Sequence, residues 1–171
     1  YGIEAKEAWK HSLLTALGAK AIAGANNPDL ADDAFMAGLL HDSGMLILDP
    51  YVAKEKKRFE KILENGDTIE QAETAIFGFS HGQLASEYLK EWKLTASQTH
   101  AIEFHHQPSL SEGDPLSHIL HLADAMANQE GPERNIALEE SSELFLNTSQ
   151  EETKKLMVAA KEEVERLIES M

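Results

Sequence analysis

A chain of 171 residues with 42% hydrophobic and 26% charged positions is long enough for one domain with a substantial core, or one domain plus a tail. Fifteen Lys and Arg against 30 Asp and Glu leave a net charge of -15, a field that repels phosphate backbones and anionic lipid and argues against general nucleic-acid or membrane-surface binding. With no cysteine, disulfides, zinc–thiolate sites, iron–sulfur clusters and thiol nucleophiles are excluded, and a cytoplasmic location is expected.

The first residues, "YGIEAKEAWKHS", lack the regions of a signal peptide and read as the middle of a helix. No apolar run approaches the ~20 residues of a membrane span, so no membrane insertion is expected. From about Glu4 to Ala25, Ala8, Leu13, Leu14, Leu17, Ala21 and Ile22 recur at helical spacing, and "NNPDLADDAF" turns the chain. A second helix from about Ala31 carries Phe35, Met36, Leu39 and Leu40 into His41 and Asp42. "AKEKKRFEKILE" has an apolar seam among its charges, the pattern of a surface helix.

Asp67 and Thr68 read as the cap of a helix through Ile76, and Ser80 as the start of the next, with Trp92 near its end. "TASQTHAIEFHHQP" is a helix stopped by Pro108, and Pro115 opens another at the favoured first-turn position. After a Gly131-Pro132 loop, a last amphipathic helix begins at Thr148 or Ser149. Prolines are expected only between segments, the runs "KEKK" and "EESSE" as solvated surface, and Trp9 and Trp92 packed on the core. With no strand alternation and no repeat, the chain is expected to be all-α, with about six to eight helices.

Eight histidines are present, and four of them fall where elements meet. His41-Asp42 and His105-His106 each close a helix, His81 opens one, and Asp124 interrupts an apolar one. His11 lies on the first helix with Glu7 one turn before it, so the two share a face. A lone histidine on an apolar face is usually a hydrogen-bonded core residue, but an ordered set of histidines and carboxylates without sulfur suits first-row transition metals. Adjacent helical residues point about 100° apart, so each pair serves two neighbouring ions, or one ion and one substrate group, better than one ion twice. The two pairs with His11, His81 and Asp124 suffice for a binuclear centre. His121 shares a face with Asp124, behind the ligands or against a substrate; His100 and His118 read as surface.

The order His11, His41-Asp42, His81, His105-His106, Asp124 resembles the HD superfamily of metal-dependent phosphohydrolases. More closely, "WKHS", "FMAGLLHDSG", the Glu73 to His81 stretch "ETAIFGFSH", "LKEWKL" with Trp92, and "HHQP" resemble the HDOD domain, the HD-related output domain of bacterial signalling proteins. The likeness spans about residues 5 to 130. It implies an HD-like helical bundle over 1–130, with a further helical portion of the family domain preceding Tyr1, and 131–171 as a loop and amphipathic helix packed on the same domain. The related HD-GYP phosphodiesterases carry "HDxGK" and a "GYP" stretch; here Met45 stands in the lysine's place and "HHQPSLSEGDPL" lacks Gly-Tyr-Pro.

Two functions follow from the resemblance. The first is a signal-transduction output domain that retains a His/Asp metal centre and meets protein partners in a signalling pathway. The alternative is an active phosphohydrolase or phosphodiesterase on a nucleotide or cyclic dinucleotide, in which ions clamp a phosphoryl oxygen. Either way the expected cofactor is a divalent transition metal, two ions of iron or manganese first, then zinc, nickel or magnesium. The expected ligands are Glu7, His11, His41, Asp42, His81, His105, His106 and Asp124, with Asp42 as bridge and catalytic carboxylate.

Overall fold

The computed structural model describes residues 1–128 and 140–170, and the expected Gly131-Pro132 loop lies outside them. The chain is all-α, as its periodicity implies. Helix α1 (Ala5–Asn26) is followed by α2 (Ala31–Leu40), α3 (Ser43–Lys54), α4 (Lys56–Glu64), α5 (Ile69–Phe77), α6 (His81–Lys90), α7 (Ala96–Phe104), α8 (Pro115–Asn128), α9 (Glu140–Leu146) and α10 (Gln150–Glu169). No described helix is long and apolar enough to cross a membrane.

Four helix starts are set by reciprocal side-chain caps. Thr68, Ser80, Thr95 and Ser149 each accept from the backbone N–H three residues on, while Gln71, Gln83, Gln98 and Glu152 reach back to the cap's own N–H. Each pairing satisfies two donors that a helix start otherwise leaves bare. The caps matter here because His81 is the first residue after one of them.

Helix α8 is the axis, with Leu116 through Asn128 all buried. Leu13, Leu14 and Ile22 of α1, Ala34 and Ala37 of α2, Ala101 and Ile102 of α7, and Met157 and Val164 of α10 join it in one core. A smaller cluster of Leu48, Val52, Phe59 and Ala72 knits α3, α4 and α5 together. Two glycines set the distances at which helices meet. A Cβ on Gly38 would lie 2.7 Å from Ala16 Cα, so α1 and α2 cross backbone to backbone. A Cβ on Gly44 would lie 2.1 Å from the His81 carbonyl oxygen, so the start of α3 abuts the start of α6.

Several expectations are corrected. Pro50 lies inside α3, on its exposed face, where the carbonyl of Leu46 that loses its partner belongs to a residue 72% exposed and can meet water. Trp9 and Trp92 are 41% and 66% exposed rather than packed in the core, and α6 ends at Lys90, before Trp92. His118 is buried: α9 lies over it, with Ser142 Oγ 2.9 Å from its Nδ1 and the Phe145 ring stacked at 4.2 Å. The run "EESSE" is therefore not wholly solvated, whereas residues 54–57 are exposed as expected.

Candidate metal centre

Five imidazoles and two carboxylates from α1, the α2–α3 junction, α6, the end of α7 and α8 meet in one place. They form two donor groups: His11, His41 and Asp124, and Asp42, His81, His105 and His106. The local reason is that most of these side chains sit at helix ends. His41 ends α2, Asp42 precedes α3, His81 starts α6 and His105 ends α7, so the backbone turns exactly where an inward polar group is needed.

Backbone carbonyls fix the rings. His41 Nδ1 donates to the Gly38 carbonyl at 2.8 Å, and His105 Nδ1 to that of Ile102 at 2.6 Å. Their Nε2 lone pairs are thereby left for the interior. His121, buried, donates from Nδ1 to the His105 carbonyl at 2.7 Å and so holds the end of α7 from behind. Asn128 Nδ2 holds Asp124, at 2.8 Å from Oδ1 and 2.9 Å from its carbonyl.

Asp42 lies between the two groups. Its Oδ1 is 3.3 Å from His41 Nε2, 3.4 Å from His81 Nε2 and 4.0 Å from His105 Nε2, and its Oδ2 is 3.7 Å from His11 Nε2. Asp124 Oδ1 is 3.0 Å from His11 Nε2 and 3.3 Å from His41 Nε2. Burial pushes both carboxyls up, but the imidazoles around them outweigh it and hold both well below the usual carboxylate range. Burial also pulls His41 down, and Asp42 and Asp124 more than reverse it. His105, with burial and then the charges of His41 and His81 against it, falls to about 3 and is a neutral donor at neutral pH.

The residues fit a divalent cation. His105 Nε2 and Asp124 Oδ2 are buried without a hydrogen-bond partner, a costly arrangement that a cation relieves. The donor set is imidazole and carboxylate with no sulfur, which selects first-row transition metals over calcium.

Of the residues expected at the centre, Glu7 is not brought in. It is exposed and belongs to neither group. Sharing a face with His11 was too coarse a criterion: the His11 side chain is itself 11% exposed, and one turn earlier the face has already run out into solvent. Two glutamates went unassigned. Glu73 is fully buried and accepts from both His81 N at 2.7 Å and His81 Nδ1 at 2.8 Å, while the Tyr1 hydroxyl donates to its other oxygen. Glu70, its carboxyl raised chiefly by burial, faces His106 Nδ1 at 3.7 Å. Glu73 opens the stretch "ETAIFGFSH" that carries part of the resemblance, whereas Glu70 is marked only by its place one turn before it.

A model of the HDOD domain matches residues 1–108. An HDOD domain protein of unknown function from Geobacter sulfurreducens superposes with a TM-score of 0.74 at 23% identity, over 97% of this chain and 64% of that one. A candidate phosphohydrolase from Shewanella amazonensis SB2B gives 0.70 at 18% identity, over 97% and 61%. The MmoQ response regulator from Methylococcus capsulatus strain Bath gives 0.62 at 20%, over 91% and 61%. These likenesses are of fold, and the chain spans less than two thirds of each of those structures. No curated protein matches it.

Proposed function

The chain belongs to the HDOD domain family, and from that premise we propose that it is a regulatory output domain of bacterial signal transduction that holds two divalent ions, iron or manganese, in its His/Asp centre. The observation that carries the reading is Asp42, whose two carboxylate oxygens lie within 4.0 Å of imidazoles from both donor groups. A carboxylate so placed could serve two cations and would have its charge neutralised by them. His11, His41 and Asp124 would hold one ion, and His81, His105 and His106 the other.

Bound there, the ions supply Lewis acidity toward a phosphoryl oxygen. The chain itself supplies little else for turnover. Met45, in the place of the HD-GYP lysine, is buried at 6% exposure and offers no cation to a phosphate. The output surface then lies on the outside, on α4 with its exposed Lys56, Lys57 and Lys61 or on the outer face of α10, and engages protein partners in the cytoplasm.

One observation favours the second reading, hydrolysis of a nucleotide or cyclic dinucleotide. The His11, Asp42 and His106 side chains keep 11%, 13% and 12% exposure, so the centre is not wholly sealed from solvent. A phosphate would approach the ligands from these side chains.

Elemental analysis after anaerobic purification tests the metal reading, with about two equivalents per chain expected for a two-ion centre. A protein free of transition metal overturns it. Turnover of bis-p-nitrophenyl phosphate that His41→Ala abolishes selects the enzyme; metal without turnover selects the output domain.

A further inference from the structure

Helix α5 contributes to neither donor group, yet it presents two carboxylates to one of them. Glu70 and Glu73 are three residues apart and leave the helix on one face. Glu73 takes the Nδ1 hydrogen of His81 at 2.8 Å and is itself held by the His81 N–H and the Tyr1 hydroxyl. Glu70, one turn earlier, stands 3.7 Å from His106 Nδ1, a buried nitrogen with no hydrogen-bond partner. His81 and His106 belong to the same donor group and touch through their Nε2 atoms at 3.0 Å. His105 of this group and His41 of the other both lean on neutral acceptors, the Ile102 and Gly38 carbonyls, so the carboxylates behind His81 and His106 are what sets the groups apart.

We propose that α5 makes the two positions of the centre unequal: Glu70 and Glu73, as positioning residues behind His106 and His81, cause the Asp42–His81–His105–His106 group to take the first divalent cation and leave the His11–His41–Asp124 group to take the second more weakly. The inference rests on the metal-binding reading above. A carboxylate behind an imidazole fixes the ring's orientation and makes its free nitrogen a better donor, and losing such a partner typically weakens metal binding by about 10- to 100-fold. Two more negative charges on the same side add long-range attraction for a dication. The weaker position is then the one whose occupancy can follow the metal supply, which gives an output domain a graded state.

The test is a cobalt(II) titration of the full chain after chelator treatment, followed by visible absorption and calorimetry. The wild type is expected to load in two phases. Glu70→Gln, at a side chain 17% exposed that tolerates the change, weakens the first phase by about tenfold, alters its absorption band and leaves the second within about twofold. His41→Ala removes the second phase and keeps the first. Glu73→Gln acts in the same direction as Glu70→Gln, and its far-UV circular dichroism shows whether the buried change is tolerated. Two wild-type phases left unchanged by Glu70→Gln, or weakened equally by it, overturn this inference alone. A wild type that takes up no cobalt overturns the metal reading with it.

Discussion

His81 Nε2 and His106 Nε2 lie 3.0 Å apart, a distance at which two imidazole nitrogens share one proton. The surroundings decide which ring owns it. Burial pulls His81 down, but its bonds to Asp42 and Glu73 outweigh that and carry it up to about 10. Burial and then the charges of His105 and His81 push His106 well below its ordinary value. The proton therefore sits on His81, with Nδ1–H on Glu73 and Nε2–H toward His106 and Asp42, until a cation takes its place.

Metal loading at neutral pH is accordingly expected to expel at least one proton, since a ligating imidazole nitrogen must be unprotonated. The sign is fixed by the direction of the His81 shift. Its proton competes with the cation throughout the range below about 10, so apparent affinity rises with pH across neutrality and falls on acidification. Calorimetric titrations in buffers of different ionisation enthalpy measure the proton count directly. Heats that do not depend on the buffer would show that His81 is no ligand.

Gly44→Ala is expected to damage both the fold and the centre. The added methyl would meet the His81 carbonyl oxygen at 2.1 Å and its carbon at 2.8 Å, and backbone atoms cannot rotate out of the way. Overpacking of this kind costs about 1–3 kcal/mol. Because the displaced residue is His81 itself, metal affinity falls as well. Gly24→Ala in α1 is the control: nothing lies within 4 Å of its Cβ, and the exchange gains about 0.5–1 kcal/mol of helix propensity. Urea midpoints of the two variants should move in opposite directions.

The parts of this molecule that were legible in its sequence are those written in local signals. Thr68 and Ser80 announce helix starts because a cap needs only its own three following residues, and Leu13, Leu14 and Ile22 announce a buried stripe by spacing alone. The paired histidines stood out because they break apolar runs at helix ends. Helix α3 was hidden because Gly44 and Pro50 disguise Met45, Leu48 and Val52, which bury at helical spacing. His118 was misjudged because what covers it, Ser142 and Phe145, comes from a helix 24 residues or more away in the chain. Glu70 and Glu73 look like any solvated helix carboxylates until the turn into α6 sets His81 against Glu73 and the end of α7 sets His106 opposite Glu70.

Met45→Lys tests whether a single exchange restores what the HD-GYP pattern supplies. Met45 follows Asp42 by one turn, its N–H bonded to the Asp42 carbonyl at 2.9 Å, and its side chain is 6% exposed. A lysine there takes an ammonium into the interior, and an uncompensated buried charge costs about 3–5 kcal/mol. The variant is therefore expected to unfold at markedly lower urea than the wild type and to gain no turnover of bis-p-nitrophenyl phosphate. The alternative outcome is as clear. If the ammonium reached the carboxylates of Asp42 and Asp124, it would find charge partners and keep stability, and it would compete with the cations for them. A variant as stable as the wild type would mean that position 45 opens onto the centre, and new phosphodiesterase turnover in it would mean that a cation there serves a phosphate rather than displacing the metal.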